Sequence, residues 1–289
     1  MPVSKAGKLL YILIPLIIYE CILLVGESVA MIVWLMPRVN LYYIPETGTI
    51  NQMEMIKDLS AFAVNNGLLI QAVLSVPTIL LCLYLIRKDL PLRRFRFDNS
   101  SVSITQWIVL IIFAAVLSAA GNMLLNIGDF ASSSESFSNA SQILNAGSVL
   151  VQIIGIGFVC PICEELVMRG LVYMRMRQYV HVNYAILFSA LLFALIHGNM
   201  VQGVYAFILG VVFAWFYEKY GSILAPILMH VIGNLTAMGS AALLDRFLPE
   251  NGRDMFLSVG GIVFAAAALA GAVFLNRRVN AKRIYADTV

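Results

Sequence analysis

The chain alternates between long apolar runs and short polar connections. A helix needs about 17–25 consecutive apolar residues to cross the hydrocarbon of a bilayer, well beyond the length of a buried strand. Eight such runs can be read, at about 9–36, 59–86, 104–127, 143–176, 184–197, 201–217, 223–244 and 256–275. The fifth and sixth are divided only by a Gly198-Asn199 turn. The stretch 129–141 is rich in Ser and Asn and lacks Lys and Arg, and reads as an exterior loop. A second exterior segment, 40–58, has room for a short interfacial helix. No internal repeat is evident. The pattern predicts an all-α, polytopic transmembrane bundle of about eight spans, one membrane domain over 1–289, with its polar motifs confined to about 143–244.

Charge placement gives this pattern a direction. Lys5 and Lys8 precede the first run; Arg87, Lys88, Arg93, Arg94 and Arg96 follow the second; Arg175 and Arg177 follow the fourth; Lys219 follows the sixth; and Arg277, Arg278, Lys282 and Arg283 follow the eighth. With eight spans all of these fall on one side, while the other holds mainly Arg38, Lys57, Arg246 and Arg253 diluted by acids. Basic loops stay in the cytoplasm, so both termini are expected there. The short loops suit a bacterial plasma membrane. The first run is too long for a cleavable signal peptide and is expected to remain as the first span.

Composition agrees. Hydrophobic residues make up 61% of the chain and charged residues 12%, against roughly a quarter charged in a soluble domain. The bilayer is therefore the expected solvent. A net charge of +3 without a dense basic stripe argues against nucleic-acid binding. Cys160 and Cys163 form a lone Cys-x-x-Cys, read here as two small residues in a membrane helix rather than a redox or metal site.

Against this background, ionisable residues inside apolar runs stand out, because each costs roughly 2.5–3.5 kcal/mol to insert. The fourth run contains Glu164-Glu165-Leu-Val-Met-Arg169. Glu165 and Arg169 are spaced i,i+4 and can pair on one face, and Glu164, about 100° around the helix, is free to point into a cavity. The fifth run ends in Phe193-Ala-Leu-Ile-His197, and the seventh carries His230-Val-Ile-Gly-Asn234 with both polar residues on one face. Two of the three histidines thus lie in spans close in sequence to the paired carboxylates. Counting along the helices puts Glu164 and His197 roughly 20–25 Å from the cytoplasmic ends but His230 only about 12 Å, a mismatch in depth. Glu20 and Glu27 in the first run could line a cavity, and Gln202 and Tyr205 a substrate groove.

Glu-Glu-x-x-x-Arg, Phe-x-x-x-His and His-x-x-x-Asn on successive helices resemble the CAAX protease and bacteriocin-processing (CPBP, or Abi) family, which includes the Ras-converting CAAX endopeptidases. The resemblance covers about 152–236. It implies an eight-span core with a membrane-embedded cavity and endoproteolysis of a membrane-associated peptide or protein, either a prenylated chain or a peptide precursor. On this reading Glu164 is the general base, and His197 positions the water. His230 and Asn234 donate to the oxyanion, and Glu165, with Arg169, holds the helix or orients a histidine. Phe193 is a structural, supporting residue. No cofactor is expected. The competing form is a zinc ion held by Glu164, His197 and His230 with the adjacent glutamate as base. Two non-proteolytic alternatives remain at this point: a bacteriocin-immunity or partner-binding protein, and a small-solute transporter.

Overall fold

The computed structural model describes residues 4–125, 134–247 and 253–285. The described residues are overwhelmingly helical. Helix α1 spans Lys5–Leu35, α2 Gln52–Asp89, α3 Ile104–Leu125, α4 Glu135–Asn145, α5 Val149–Met176, α6 Val182–Leu195, α7 Met200–Tyr220, α8 Leu224–Phe247 and α9 Arg253–Arg278. Each apolar run became a helix. Six of them, α1, α2, α3, α5, α7 and α9, are long and apolar enough to cross a membrane, whereas α6 and the described apolar part of α8 are shorter.

The boundaries move where polar residues, not apolar period, decide them. Helix α2 starts at Gln52 rather than near residue 59. There Asn51 accepts from the Glu54 N–H at 3.2 Å and donates back to its carboxylate at 3.0 Å, satisfying the exposed first turn. The segment expected as an interfacial helix holds a 3₁₀ turn, Met36–Tyr42, and a small hairpin, β1 Tyr43–Ile44 with β2 Thr49–Ile50. Of the loop expected at 129–141, residues 129–133 lie outside the described residues. The remainder enters α4, an amphipathic helix capped by Ser134, whose apolar spacing was hidden among its Ser and Asn.

Helix α5 is the axis of the bundle. Every residue from Leu166 to Tyr173 is buried, as expected for a helix surrounded by protein on all sides. It packs against α1, α2, α6 and α7. A second apolar cluster, with Leu110, Phe113, Phe216, Tyr220, Met229 and Leu275, joins α3, α7, α8 and α9. The polar residues of α5 and α8 lie where these two clusters meet.

At one end of the bundle, β3 (Phe95–Asp98) pairs antiparallel with β4 (Lys282–Tyr285), setting Asp98 opposite Lys282. This ribbon lies over the α7–α8 corner. Gly221 there adopts φ +61°, and a Cβ on it would meet Ala281 and Phe97 at 2.7–2.8 Å. Glu218, nearby on α7, accepts from Tyr173 of α5, from Arg177 just past its end and from Arg283 of β4. Arg175 pairs with Asp89 and donates to the Tyr11 carbonyl. The basic residues that follow α2, α5, α7 and α9 thus converge on one end of the molecule.

Candidate active site

The paired glutamates occupy a short α-helical stretch, Cys160–Glu165, between two π-helical segments of α5, Ile153–Val159 and Leu166–Tyr173. Pro161 has no N–H to give the ladder. Widened turns of this kind shift the following side chains around the axis and recur at functional sites.

Glu165 is wholly buried. Its Oε1 accepts from Arg169 Nη1 at 3.0 Å and from His230 Nδ1 at 3.0 Å. An ionised carboxylate can only accept, so the bond places a proton on Nδ1 of His230 and leaves Nε2 without one. Nε2 lies 3.9 Å from Glu164 Oε2. Glu164, unlike its neighbour, retains some exposure, at 15% of its side chain.

Arg169 is also wholly buried. It donates to the Gly210 carbonyl of α7 at 3.1 Å and lies over the rings of Phe193 at 4.4 Å and Phe213 at 5.4 Å. Carboxylate, carbonyl and two aromatic faces together offset the cost of removing a guanidinium from water. Glu165 Oε2 and Arg169 Nε make no hydrogen bond among the described residues.

Glu164 and His230, expected at different depths, nonetheless meet, their side chains 3.9 Å apart. Asn234, one turn on, donates to the Ile156 carbonyl at 2.9 Å. This ties α8 to the π-helical part of α5 and leaves its second amide hydrogen uncommitted by that bond.

His197 is placed differently. Helix α6 ends at Leu195, so His197 sits in the following turn rather than in the span. Its Nδ1 meets the Phe193 carbonyl at 2.7 Å, and Gly198 at φ +70° turns the chain towards α7. The Phe193 ring stands edge-on to both imidazoles, 4.8 Å from His197 and 5.9 Å from His230. Among the described residues His197 makes neither a hydrogen bond nor an ion pair with Glu164. The structure therefore links Glu164, Glu165, Arg169 and His230, with Phe193 in contact, places Asn234 one turn along α8 bonded to Ile156, and holds His197 one ring away.

This arrangement also bears on a metal. Each histidine has Nδ1 engaged, as metal-bound imidazoles do. Yet among the described residues no three His, Cys, Asp or Glu side chains converge as a metal-binding group. Glu164, His197 and His230 as placed do not fit a resident zinc ion.

Several contributors were silent in the sequence. Phe213 stacks near both Arg169 and His230, at 5.2 Å from the latter, but an aromatic residue in an apolar helix carries no distinguishing pattern. Ser118 of α3 donates to the Gly233 carbonyl at 2.6 Å, and Asn122 donates to Ser240 at 2.8 Å. Both hold the face of α8 that bears His230 and Asn234. Tyr19 and Glu20 of α1 come within electrostatic reach of Glu164.

Residues 146–236 match the family described as type II CAAX prenyl endopeptidase Rce1-like. A protein of Bacillus subtilis (strain 168) with the name "Putative membrane peptidase YdiL" is 25% identical over 206 residues, covering 68% of this chain and 83% of that protein. No solved structure matches the chain significantly. All three polar motifs fall inside the matched segment. Together with the six apolar helices they make this an integral membrane protein. Through residues 146–236, the chain is similar to the type II CAAX prenyl endopeptidases and, over a longer stretch, to a protein described as a membrane peptidase.

Proposed function

We propose that the protein is an intramembrane endopeptidase in which Glu164 activates water to hydrolyse a peptide bond of a membrane-associated peptide or protein. One observation carries this reading: Glu165 fixes Nδ1 of His230 and so aims Nε2 at Glu164. A carboxylate held beside an oriented imidazole is a proton-transfer pair. Glu164 takes a proton from water as the oxygen attacks the scissile carbonyl carbon. His230 Nε2, a short side-chain adjustment away, receives that proton and returns it to the leaving amine. Asn234 contributes its second amide hydrogen to the oxyanion. His197, in the turn after α6, positions the same water. Arg169 acts at one remove, by neutralising Glu165. No step is routed through a metal.

The same reading takes the chain as one membrane domain of eight spans with both termini in the cytoplasm of a bacterium, supported by the gathering of basic residues at the β3–β4 end. The substrate is a prenylated chain or a peptide precursor.

The test is a comparison of membrane peptides from cells carrying the wild type or Glu164→Gln. Products present only with the wild type, at equal protein level, are expected. Identical peptide sets would remove the protease reading. Cleavage by the purified protein should withstand a chelator, and loss of activity restored by zinc would overturn the metal-free mechanism.

A further inference from the structure

A groove of about 550 Å³ runs along the outer face of α9. Ala266 and Ala270, one turn apart, form its floor, and Leu269, Val273 and Phe274 stand beside them. These three stay exposed, Leu269 at 68%, while Ala268, Leu275 and Val279 on the other side of the helix are buried in the cluster with α3, α7 and α8. The groove ends at Arg277 and Arg278, in the last turn of the helix. Among the described residues neither guanidinium has a carboxylate partner, and Arg278 lies 5.9 Å over the Phe274 ring. Basic residues at a helix C-terminus complement its dipole, but that role needs no apolar groove leading up to them. The backbone there is held separately, since Gln106 of α3 donates to the Arg278 carbonyl at 2.8 Å.

We infer that this groove binds an anionic glycerophospholipid, with one acyl chain along Ala266, Ala270 and Phe274 and the phosphate on Arg277 and Arg278. The dimensions agree. From Ala266 to Arg278 the helix rises about 18 Å at 1.5 Å per residue, close to one leaflet of a hydrocarbon core about 30 Å thick. The apolar stretch therefore stands where a lipid chain lies, and the arginine pair where its headgroup lies. Lipid tails are as apolar as Leu, so the groove walls alone would select no particular lipid. Selection comes from the two guanidinium groups, which grip phosphate oxygens through charge-assisted hydrogen bonds. A zwitterionic lipid offers the same chain, but its own ammonium competes for that phosphate. The site stands apart from the protease reading, because α9 carries none of the residues around Glu164.

The test titrates the purified full chain, in a neutral detergent, with phosphatidylglycerol or with phosphatidylcholine of the same acyl chains, and counts bound lipid by native mass spectrometry. One phosphatidylglycerol per chain should bind about thirtyfold more tightly than phosphatidylcholine, the attraction expected for two basic residues at an anionic surface. Arg277→Gln/Arg278→Gln should erase that preference. Ala270→Trp fills the floor, leaves both charges, and should weaken phosphatidylglycerol binding about tenfold, the worth of roughly two buried methylenes. Arg94→Gln/Arg96→Gln, on and beside β3 at the same end of the bundle, should change neither property. Equal affinity for the two lipids would overturn the site. So would a loss of preference in the β3 variant as large as in Arg277→Gln/Arg278→Gln, which would mean diffuse attraction by the basic end. Unchanged binding by Ala270→Trp would show that no chain enters the groove and would overturn the site as well. A wild-type dimer that Ala270→Trp dissociates and lipid does not would give this face to a second copy of the chain and end the lipid proposal.

Discussion

At the scale of single residues, the two adjacent glutamates have separate tasks because their surroundings differ. Glu165 is sealed between Arg169 and His230, and Glu164 keeps contact with the outside. Removing one partner of a buried pair leaves the other as an uncompensated charge, at a cost of about 3–5 kcal/mol. Arg169→Met should therefore lower the unfolding temperature in detergent sharply, whereas Glu164→Gln should leave it near wild type. Equal melting of all three proteins would show that the Glu165–Arg169 pair is not the buried link described here. Sequence spacing alone made the Glu165–Arg169 bond legible, since i,i+4 residues meet on any helix. The bond from Glu165 to His230 was not legible, because it joins residues 65 apart and no local rule fixes how two helices turn towards each other.

Elements place these residues by close approach. Gly210 lets α7 meet α6 and present its carbonyl to Arg169; a Cβ there would lie 3.0 Å from Ala190 Cα and 3.3 Å from Arg169 Nη2. Gly210→Ala should cost about 1–3 kcal/mol through overpacking and reduce cleavage, measured by thermal unfolding and turnover together. Unchanged stability and turnover would mean that the α6–α7 contact is looser than it looks. Apolar periodicity found the long helices but missed α4, hidden among Ser and Asn, and misjudged ends set by capping, such as Asn51 at α2. It also placed His197 inside a span, whereas α6 ends at Leu195, three residues ahead of Gly198. The π-helical turns of α5 had only Pro161 as a sequence trace.

For the whole molecule, the β3–β4 ribbon is the feature that hydropathy could not show, because it joins residues nearly two hundred positions apart through two four-residue strands that carry Arg96, Asp98, Lys282 and Arg283. Cysteines introduced at Asp98 and Lys282 should cross-link on oxidation and react with a maleimide from the cytoplasmic side. Failure to cross-link would contradict the ribbon, and labelling from outside would reverse the orientation. The bundle's larger consequence is that α5 and α8 deliver acid and imidazole to one level between two apolar clusters. The most direct measurement is hydrolysis by the purified protein in proteoliposomes, using a peptide whose processing in cells depends on the wild type. Wild-type protein should cleave it, and Glu164→Gln, equally folded, should lose about three orders of magnitude or more, as expected when a general base is removed. Cleavage by Glu164→Gln at the wild-type rate would contradict the account.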